Sequence, residues 1–193
     1  MSPRFAPFVG RVAHEGSDPW ALHWEARQAA AAGQDVIVLS VGDPDLDTPV
    51  PVVDAAVASL RAGDTHYTES AGRPLLRAAI AARHAARTGQ PVTADNVIVL
   101  SGTQNGLFVA SLCLAGTGDE VIALDPMYAT YPATIRASGA TLVPVPMPAA
   151  ARFHTDLEAL EAAVTPRTRA IFVATPNNPS GVILSEAEHQ CLL

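Results

Sequence analysis

The sequence contains no lysine, because all 12 of its basic residues are arginine. Aromatic residues make up only 5 % of the 193 residues, and there are two cysteines, Cys113 and Cys191. Two cysteines in apolar or helical surroundings favour buried free thiols over a disulfide framework. The missing lysine excludes, within this chain, any chemistry that needs a lysine side-chain amine.

Long hydrophobic runs and clusters of positive charge are also missing. No segment offers the roughly 20 consecutive apolar residues of a membrane-spanning helix, and the first ten residues lack the apolar centre of a signal peptide. The formal net charge is -7, and the arginines are scattered instead of forming the basic face that nucleic acid binding requires. We therefore expect a cytoplasmic protein that binds neither membranes nor nucleic acid.

Apolar runs and helix-capping patterns alternate along the chain. Short β-branched or apolar runs predict strands at 36–41, 97–100, 121–124, 141–145 and 170–174. Helical patterns predict helices from Asp18-Pro19 to about Ala32, at 48–62, 73–87, 104–114, 128–138 and 155–163, and from Ser185 onward. Apolar strands separated by helices indicate an α/β fold with three layers, in which helices cover both faces of a mostly parallel sheet.

Single residues and short spacings add detail to the predicted strands and helices. Pro144 places the strand at 141–145 near a sheet edge, because proline cannot donate to a strand ladder. Thr155 with Glu158 and Ser185 with Glu188 have the spacing of capping boxes. The chain ends at Leu193 inside the helix that Ser185 opens. Since domains rarely end within such a helix, we expect the natural protein to continue beyond Leu193.

The run from Ser101 to Gly106 follows a predicted strand and opens a helix. Backbone N–H groups and the positive helix end then converge on one spot, which suits a phosphate, and the hydroxyls of Ser101 and Thr103 can add hydrogen bonds. The glycine spacing fits neither a nucleotide P-loop nor a dinucleotide fingerprint. A plain strand-to-helix turn is the alternative. The run 116–119, which precedes a strand, is interpreted as a tight turn.

Two further polar loops follow predicted strands, at the carboxyl edge where open parallel sheets bind ligands. The first, 125–128, ends in Tyr128, which can stack on a flat ring or simply pack on the sheet edge. The second, 175–181, places two asparagines between two prolines, so that a side-chain amide is held in a fixed orientation. It can equally be an ordinary turn with a cis Asn178-Pro179 bond.

Taken together and in order, five motifs resemble the class I/II aminotransferases of fold type I, which depend on pyridoxal 5′-phosphate. The motifs are Gly42-Asp43-Pro44-Asp45, Tyr67 with Ala71-Gly72, Ser101-Gly102-Thr103-Gln104, Asp125-Pro126-Met127-Tyr128 and Asn177-Asn178-Pro179-Ser180-Gly181. The last is the most specific. The resemblance runs from about Asp18 to the end of the chain. It implies an N-terminal arm and small-domain segment at 1–47 and the first part of the cofactor-binding large domain at 48–193.

By this resemblance, several residues contact the cofactor or the substrate. The phosphate cup is formed by Ser101, Gly102, Thr103 and Gln104. Tyr128 stacks on the pyridine ring, and Asn178 binds the phenolic oxygen of the ring and helps to hold the substrate carboxylate. Gly42 lies against the substrate. Tyr67 reaches the phosphate in a neighbouring subunit, which implies a homodimer.

Other parts of the family's site would lie beyond Leu193. These are the Schiff-base lysine, an aspartate, a tyrosine and an arginine, so we predict that the chain holds no catalytic residue and is inactive alone. No metal is predicted. The expected substrates are an amino acid and a 2-oxo acid. Three stretches, 20–24, 41–45 and 65–67, are similar to arginine:pyruvate aminotransferases. A carbon-sulfur lyase of the same fold and an inactive fragment remain alternatives.

Overall fold

The computed structural model describes residues 4–13 and 20–193. The helices are α1 (Pro7–Val12), α2 (Ala21–Ala31), α3 (Val50–Arg61), α4 (Pro74–Thr88), α5 (Thr103–Leu114), α6 (Tyr131–Ser138), α7 (Leu157–Ala163) and α8 (Glu186–Cys191). The strands are β1 (Glu120–Asp125), β2 (Thr141–Pro146) and β3 (Thr168–Phe172). Within the two described ranges, no helix is long and apolar enough to cross a membrane.

The chain divides into two compact units. Unit 1 consists of the described residues up to Val36 together with Thr103–Leu193, and it contains all three strands. Unit 2 is the continuous segment Ile37–Gly102, which contains α3 and α4.

The sheet of unit 1 is parallel, with the strand order β2-β1-β3. The central strand β1 pairs along its whole length with β2, where Ala123 lies opposite Pro144. Among the described strands, β2 has a neighbour on one side only, which confirms the edge position that Pro144 predicts.

Alternating side chains of β1 supply the two faces of the sheet, because successive residues of a strand point in opposite directions. Val121 and Ala123 face a cluster that includes Ile135 of α6 and is flanked by Leu107 of α5. Ile122 and Leu124 face a second cluster that includes Leu160 of α7, with Cys191 and Leu192 from the end of α8 packed against it. Helices therefore cover both faces, and the predicted three-layer α/β/α arrangement is confirmed.

Unit 2 is held together by hydrogen bonds around Arg77 of α4. The Arg77 guanidinium donates to the carbonyl oxygens of Val97, at 2.8 Å, and of Ala94, at 2.6 Å. The N–H of Val99 donates to the carbonyl of Ala71 at 2.9 Å. Gly72 permits this approach, because its φ is 101° and a Cβ there would lie 2.6 Å from the Cβ of Val99.

Two predicted strands are wrong. The segments at 36–41 and 97–100 form no strand, and Ile37 and Leu39 are more than four-fifths exposed. A strand needs a neighbouring strand to satisfy its N–H and C=O groups. No described strand pairs with either segment, so both stay unpaired despite their β-branched composition.

The predicted helix boundaries hold less well than the helices themselves. Helix α6 begins at Tyr131 instead of Tyr128, and Pro132 occupies the start of the helix, where its missing N–H costs nothing. The predicted capping box of Thr155 with Glu158 is wrong, because Asp156 is the N-cap of α7 and accepts a hydrogen bond from the Glu158 N–H. The Asp18-Pro19 helix start lies outside the described residues.

The second capping box, Ser185 with Glu188, is confirmed at the start of α8. The carboxylate of Glu188 also accepts from the Thr155 N–H at 2.9 Å and contacts Nδ1 of His154 at 2.9 Å. Burial alone would raise the pKa of Glu188, but the hydrogen bonds from Ser185, His154 and Thr155 outweigh it and hold the pKa at about 2. This buried carboxylate therefore links α8 to the segment before α7.

The two cysteines are free thiols, as predicted. The prediction that both are buried is wrong for Cys113, which is exposed on α5, whereas Cys191 is half-buried at the end of α8. Helix α5 has a high apolar content around much of its circumference, so the apolar surroundings of Cys113 in the sequence do not reveal which side faces solvent.

Candidate active site at the carboxyl edge of the sheet

The loops that follow β1 and β3 lie side by side. These strands are parallel neighbours, so both end at the same edge of the sheet. The side-chain amide of Asn177, in the loop after β3, donates to the carbonyl oxygen of Pro126, in the loop after β1, at 3.1 Å. The two loops that the sequence singled out are thus joined directly.

Asn177 also organises its own loop. It is only 8 % exposed, and its amide nitrogen lies 2.8 Å from Oγ of Ser180. Its backbone N–H donates to the carbonyl of Val182 at 2.7 Å, and its carbonyl accepts from the N–H of Gly181 at 2.8 Å. The side-chain amide nitrogen and both backbone polar groups of this residue are therefore engaged in holding the loop.

The next residue, Asn178, has the opposite environment. It is exposed, and its side-chain amide forms no hydrogen bond with any residue in the described part of the chain. The Asn178-Pro179 bond is cis, as predicted. Of the two adjacent asparagines, one anchors the loop and the other presents a free amide at the sheet edge.

Tyr128 lies in the adjoining loop with its ring partly exposed, at 37 %. Its ring contacts that of Tyr131 edge to face, with centroids 5.7 Å apart, and Tyr131 in turn contacts Phe172 at 5.2 Å. Burial, with a smaller contribution from Tyr128, raises the pKa of Tyr131, so its hydroxyl stays neutral. Edge-to-face contacts of this kind fix the plane of the Tyr128 ring while leaving part of it open.

The start of α5 provides hydrogen-bond donors. The hydroxyls of Ser101 and Thr103 are exposed and form no hydrogen bond with described residues. Gly102 has a φ of 87°, a conformation that favours glycine, and its N–H donates to the carbonyl of Leu100 at 2.8 Å. The N–H groups of the first helical turn lack intrahelical partners, so the start of α5 favours an anion.

The side chain of Gln104 serves a different purpose. Its amide nitrogen donates to Oγ1 of Thr134 at 2.9 Å, and its amide oxygen accepts from Oγ1 of Thr130 at 2.5 Å. Thr134 is buried in α6. Gln104 therefore ties the start of α5 to the start of α6, while its backbone N–H is available for a bound anion.

The remaining predicted site residues, Gly42 and Tyr67, belong to unit 2, as do Ser101 and Gly102 at its end. Gly42 lies in an exposed segment, and no described atom lies within 4 Å of where its Cβ would be. Tyr67 is fully exposed, and no hydrogen bond joins its hydroxyl to the described residues. Their roles stay predictions.

Charged pairs lie at the opposite, amino end of the strands. Glu120, the first residue of β1, accepts hydrogen bonds from Thr165 and from the guanidinium of Arg167, and these hold its pKa below the usual range. Asp119 pairs with Arg169 at 3.1 Å. No group of His, Cys, Asp and Glu among the described residues is arranged to hold a metal ion. The donors at the carboxyl edge are thus amides and hydroxyls.

These features define an α/β protein whose sheet edge presents a helix start with unpaired N–H donors, a tyrosine ring of fixed plane and an exposed amide without a described hydrogen-bond partner. Residues 34–193 match the aminotransferase class I and II family, and the chain belongs to that family.

Several relatives are known. The chain is 45 % identical over 189 residues to the arginine–pyruvate transaminase AruH of Pseudomonas aeruginosa, covering 98 % of this chain and 48 % of that protein. It is 38 % identical to a probable aspartate/prephenate aminotransferase of Thermus aquaticus, covering 86 % of this chain and 43 % of that one. The aspartate aminotransferase of Thermus thermophilus, solved with maleate, superimposes with a TM-score of 0.91 at 34 % identity, over 98 % of this chain and 49 % of that one. The chain spans about half the length of these relatives.

The sequence alone does not predict Asn177 as an anchor, or Thr130 and Thr134 as the partners of Gln104. A partial signal for Asn177 exists, since asparagine side chains commonly form hydrogen bonds within turns. Nothing local signals its contact with Pro126, which lies 51 positions earlier.

Proposed function

We propose that this chain carries the phosphate-binding and ring-binding part of a pyridoxal-phosphate-dependent aminotransferase. The observation that supports this most strongly is the pairing of a partly exposed tyrosine ring, Tyr128, with a free asparagine amide, Asn178, on adjoining loops. A flat heteroaromatic ring with an oxygen substituent needs one face to stack on and one donor for that oxygen.

The donors fit the cofactor. Its phosphate is a dianion, which suits the start of α5 with the free hydroxyls of Ser101 and Thr103 beside it. Gly102 supplies the backbone turn, and Gln104 contributes its N–H because its side chain is held by α6. The hydroxyls of Ser101 and Thr103 make no competing hydrogen bonds within the described residues, so their binding to a phosphate breaks no existing contact.

In this proposal each residue has a separate task. Pyridoxal phosphate supplies an electron-withdrawing ring that stabilises negative charge at the α-carbon of an amino acid. The helix start fixes the phosphate, and Tyr128 fixes the plane of the ring. Asn178 donates to the ring oxygen and helps to hold the carboxylate of the substrate. Two fixed points and a fixed plane leave the ring one orientation, which is what positioning requires.

For the protein as a whole, we propose transamination between arginine and pyruvate in a homodimer. The 45 % identity to an arginine–pyruvate transaminase supports this choice of substrates. Gly42 would lie against the substrate, and Tyr67 would reach the phosphate bound to the other subunit. We assign residues 1–47 to an arm and small-domain segment, and 48–193 to the large domain.

The proposed cofactor-binding residues can be tested by equilibrium dialysis with pyridoxamine phosphate, a form of the cofactor that needs no lysine. We expect saturable binding by the wild-type chain and about tenfold weaker binding by Asn178→Ala, because one hydrogen bond to a polar group is lost. Asn96→Ala, a change in unit 2, is the matched control and should leave the affinity unchanged. Absence of binding, or equal binding by Asn178→Ala, would contradict the proposal.

The chain alone is proposed to be inactive, since it has no lysine to bond with the cofactor aldehyde. Incubation with pyridoxal phosphate, arginine and pyruvate should yield no alanine. Borohydride reduction should attach no cofactor to any side chain, with peptide mapping used to set aside the N-terminal amine. Turnover or a labelled side chain would sink this part of the proposal.

Substrate choice can be tested with a chimera. This chain would replace the matching half of the Pseudomonas aeruginosa arginine–pyruvate transaminase, and initial rates with arginine and aspartate would be compared. The proposal predicts that arginine remains the preferred amino donor. A chimera that prefers aspartate would show that this half does not belong to an arginine enzyme.

A further inference from the structure

The side chain of Asn177 connects the loop after β3 to the loop after β1. Its amide donates to the carbonyl of Pro126 at 3.1 Å, two residues before Tyr128, and it immediately precedes Asn178. Its backbone bonds to Val182 and Gly181 close the loop after β3 independently of this contact. The side chain therefore controls where the closed loop sits against its neighbour.

We infer that Asn177 is a positioning residue that sets the distance between the free amide of Asn178 and the ring of Tyr128. The inference rests on the proposed function, because it concerns the same ring-binding edge. A buried donor near a fixed carbonyl gives a contact of defined length. Asn178 is one residue away from that contact, so the contact also fixes where Asn178 lies. A loop held only by its own backbone would be free to move relative to Tyr128.

The chemistry of the contact indicates which substitution is informative. An aspartate has nearly the volume of asparagine but carries only acceptors when ionised. Asn177→Asp would therefore place a carboxylate oxygen against the carbonyl of Pro126 and replace attraction by repulsion. The bond to Ser180 survives, because the serine hydroxyl can donate to a carboxylate. The loop thus keeps its shape and loses its attachment to the Tyr128 loop.

The test compares two ligands on the full 193-residue chain: pyridoxamine phosphate and its analogue without the ring hydroxyl. The wild-type chain should bind pyridoxamine phosphate about tenfold more tightly, through the bond from Asn178 to the ring oxygen. Asn177→Asp should reduce this preference to about twofold or less, with little change in affinity for the analogue. Asn177→Ala, which removes the donor without adding charge, should do the same.

Asn96→Asp is the matched control. It introduces the same charge in unit 2, and its side-chain oxygen can still accept from the N–H of Thr93, as Oδ1 of Asn96 does at 3.0 Å. It should retain the tenfold preference. Far-ultraviolet circular dichroism of every variant shows whether it is folded, so that a loss of preference is read only from folded chains.

The outcomes separate this inference from the proposed function. A wild-type chain that binds neither ligand, or both equally, contradicts the proposed function and this inference with it. A wild-type preference that persists in Asn177→Asp and Asn177→Ala overturns the inference alone. Equal weakening of both ligands also overturns it, because general loop damage would not single out the ring hydroxyl.

Discussion

The two units of the chain differ sharply in how they bury apolar side chains. Among the described residues, every buried apolar side chain except that of Ala81 lies in unit 1. Unit 2 exposes large apolar side chains along both of its helices, including Val52 and Leu60 of α3 and Leu75 of α4. The difference follows from the sheet, since a strand offers two faces on which helices can bury their apolar sides.

The same comparison explains why two runs of similar composition differ in whether they form a strand. The β-branched run at 36–41 and the apolar run of β1 both have strand composition. Only the second has parallel neighbours on both sides. Strand formation depends on partners as much as on composition, because what strand propensity measures is largely packing against neighbours.

The largest predicted difference between the units is the loss of stability when an apolar side chain is shortened to alanine in each of them. Ile135 in unit 1 is fully buried, whereas Leu75 in unit 2 is 87 % exposed. Ile135→Ala should lower the free energy of unfolding by about 2–5 kcal/mol through lost burial and a cavity, and Leu75→Ala by less than about 0.5 kcal/mol. Urea unfolding followed by circular dichroism measures both. Similar losses of stability at the two positions would contradict the conclusion that the units differ in how they bury apolar side chains.

The second prediction concerns the loss of stability at low pH. The pKa of Glu188 is about 2 in the folded chain, below the usual value of 4.5, so its stabilisation is present above pH 4.5 and is lost as the pH falls toward 2. The loss should approach about 2–3 kcal/mol. In Glu188→Gln this pH dependence should be absent, with lower stability at pH 7. A variant with the same acid transition as the wild type would show that Glu188 does not contribute.

The third prediction compares the effect on stability of an added methyl group at two glycines of unit 2, Gly63 and Gly72. Gly63→Ala forces a left-handed backbone without steric contact, and should lower stability by about 1 kcal/mol. Gly72→Ala adds a clash with Val99 and should cost about 2 kcal/mol. Hydrogen exchange of the α4 amides reports the local stability of unit 2. Equal protection in both variants would mean that the segment containing Val99 is not held against Gly72.

The smallest effect is expected for the surface pair of Asp64 and Arg73 in unit 2. Hydrogen bonds from Arg73 and then Ser59 hold the pKa of Asp64 at about 2, although both partners of the ion pair are exposed. Salt should raise the pKa of Asp64 toward its usual value of 3.8, while Glu188 should respond much less because it is buried. Carboxyl chemical shifts recorded against pH in low and high salt test this. Equal responses would contradict the distinction.

Much of the site was predictable because it depends on where parallel strands end. The loops carrying Tyr128 and Asn178 follow predicted strands, and their meeting at one edge follows from the parallel order. The anchoring roles of Asn177 and Gln104 were not predictable. Each depends on a partner at least 26 positions away, and only the folded chain brings these together. The N-cap of α7 was missed for a similar reason, since Glu188 holds the N–H of Thr155 from a distant helix.

In the proposed function, the sheet edge presents Asn178 as a free donor to a phosphorylated pyridine ring. Selective ¹⁵N labelling of asparagine, followed by titration with pyridoxamine phosphate, tests this most directly. We expect a saturable shift of the side-chain signal of Asn178, with the signal of Asn96 unmoved. Saturable binding that leaves the signal of Asn178 unchanged would contradict it.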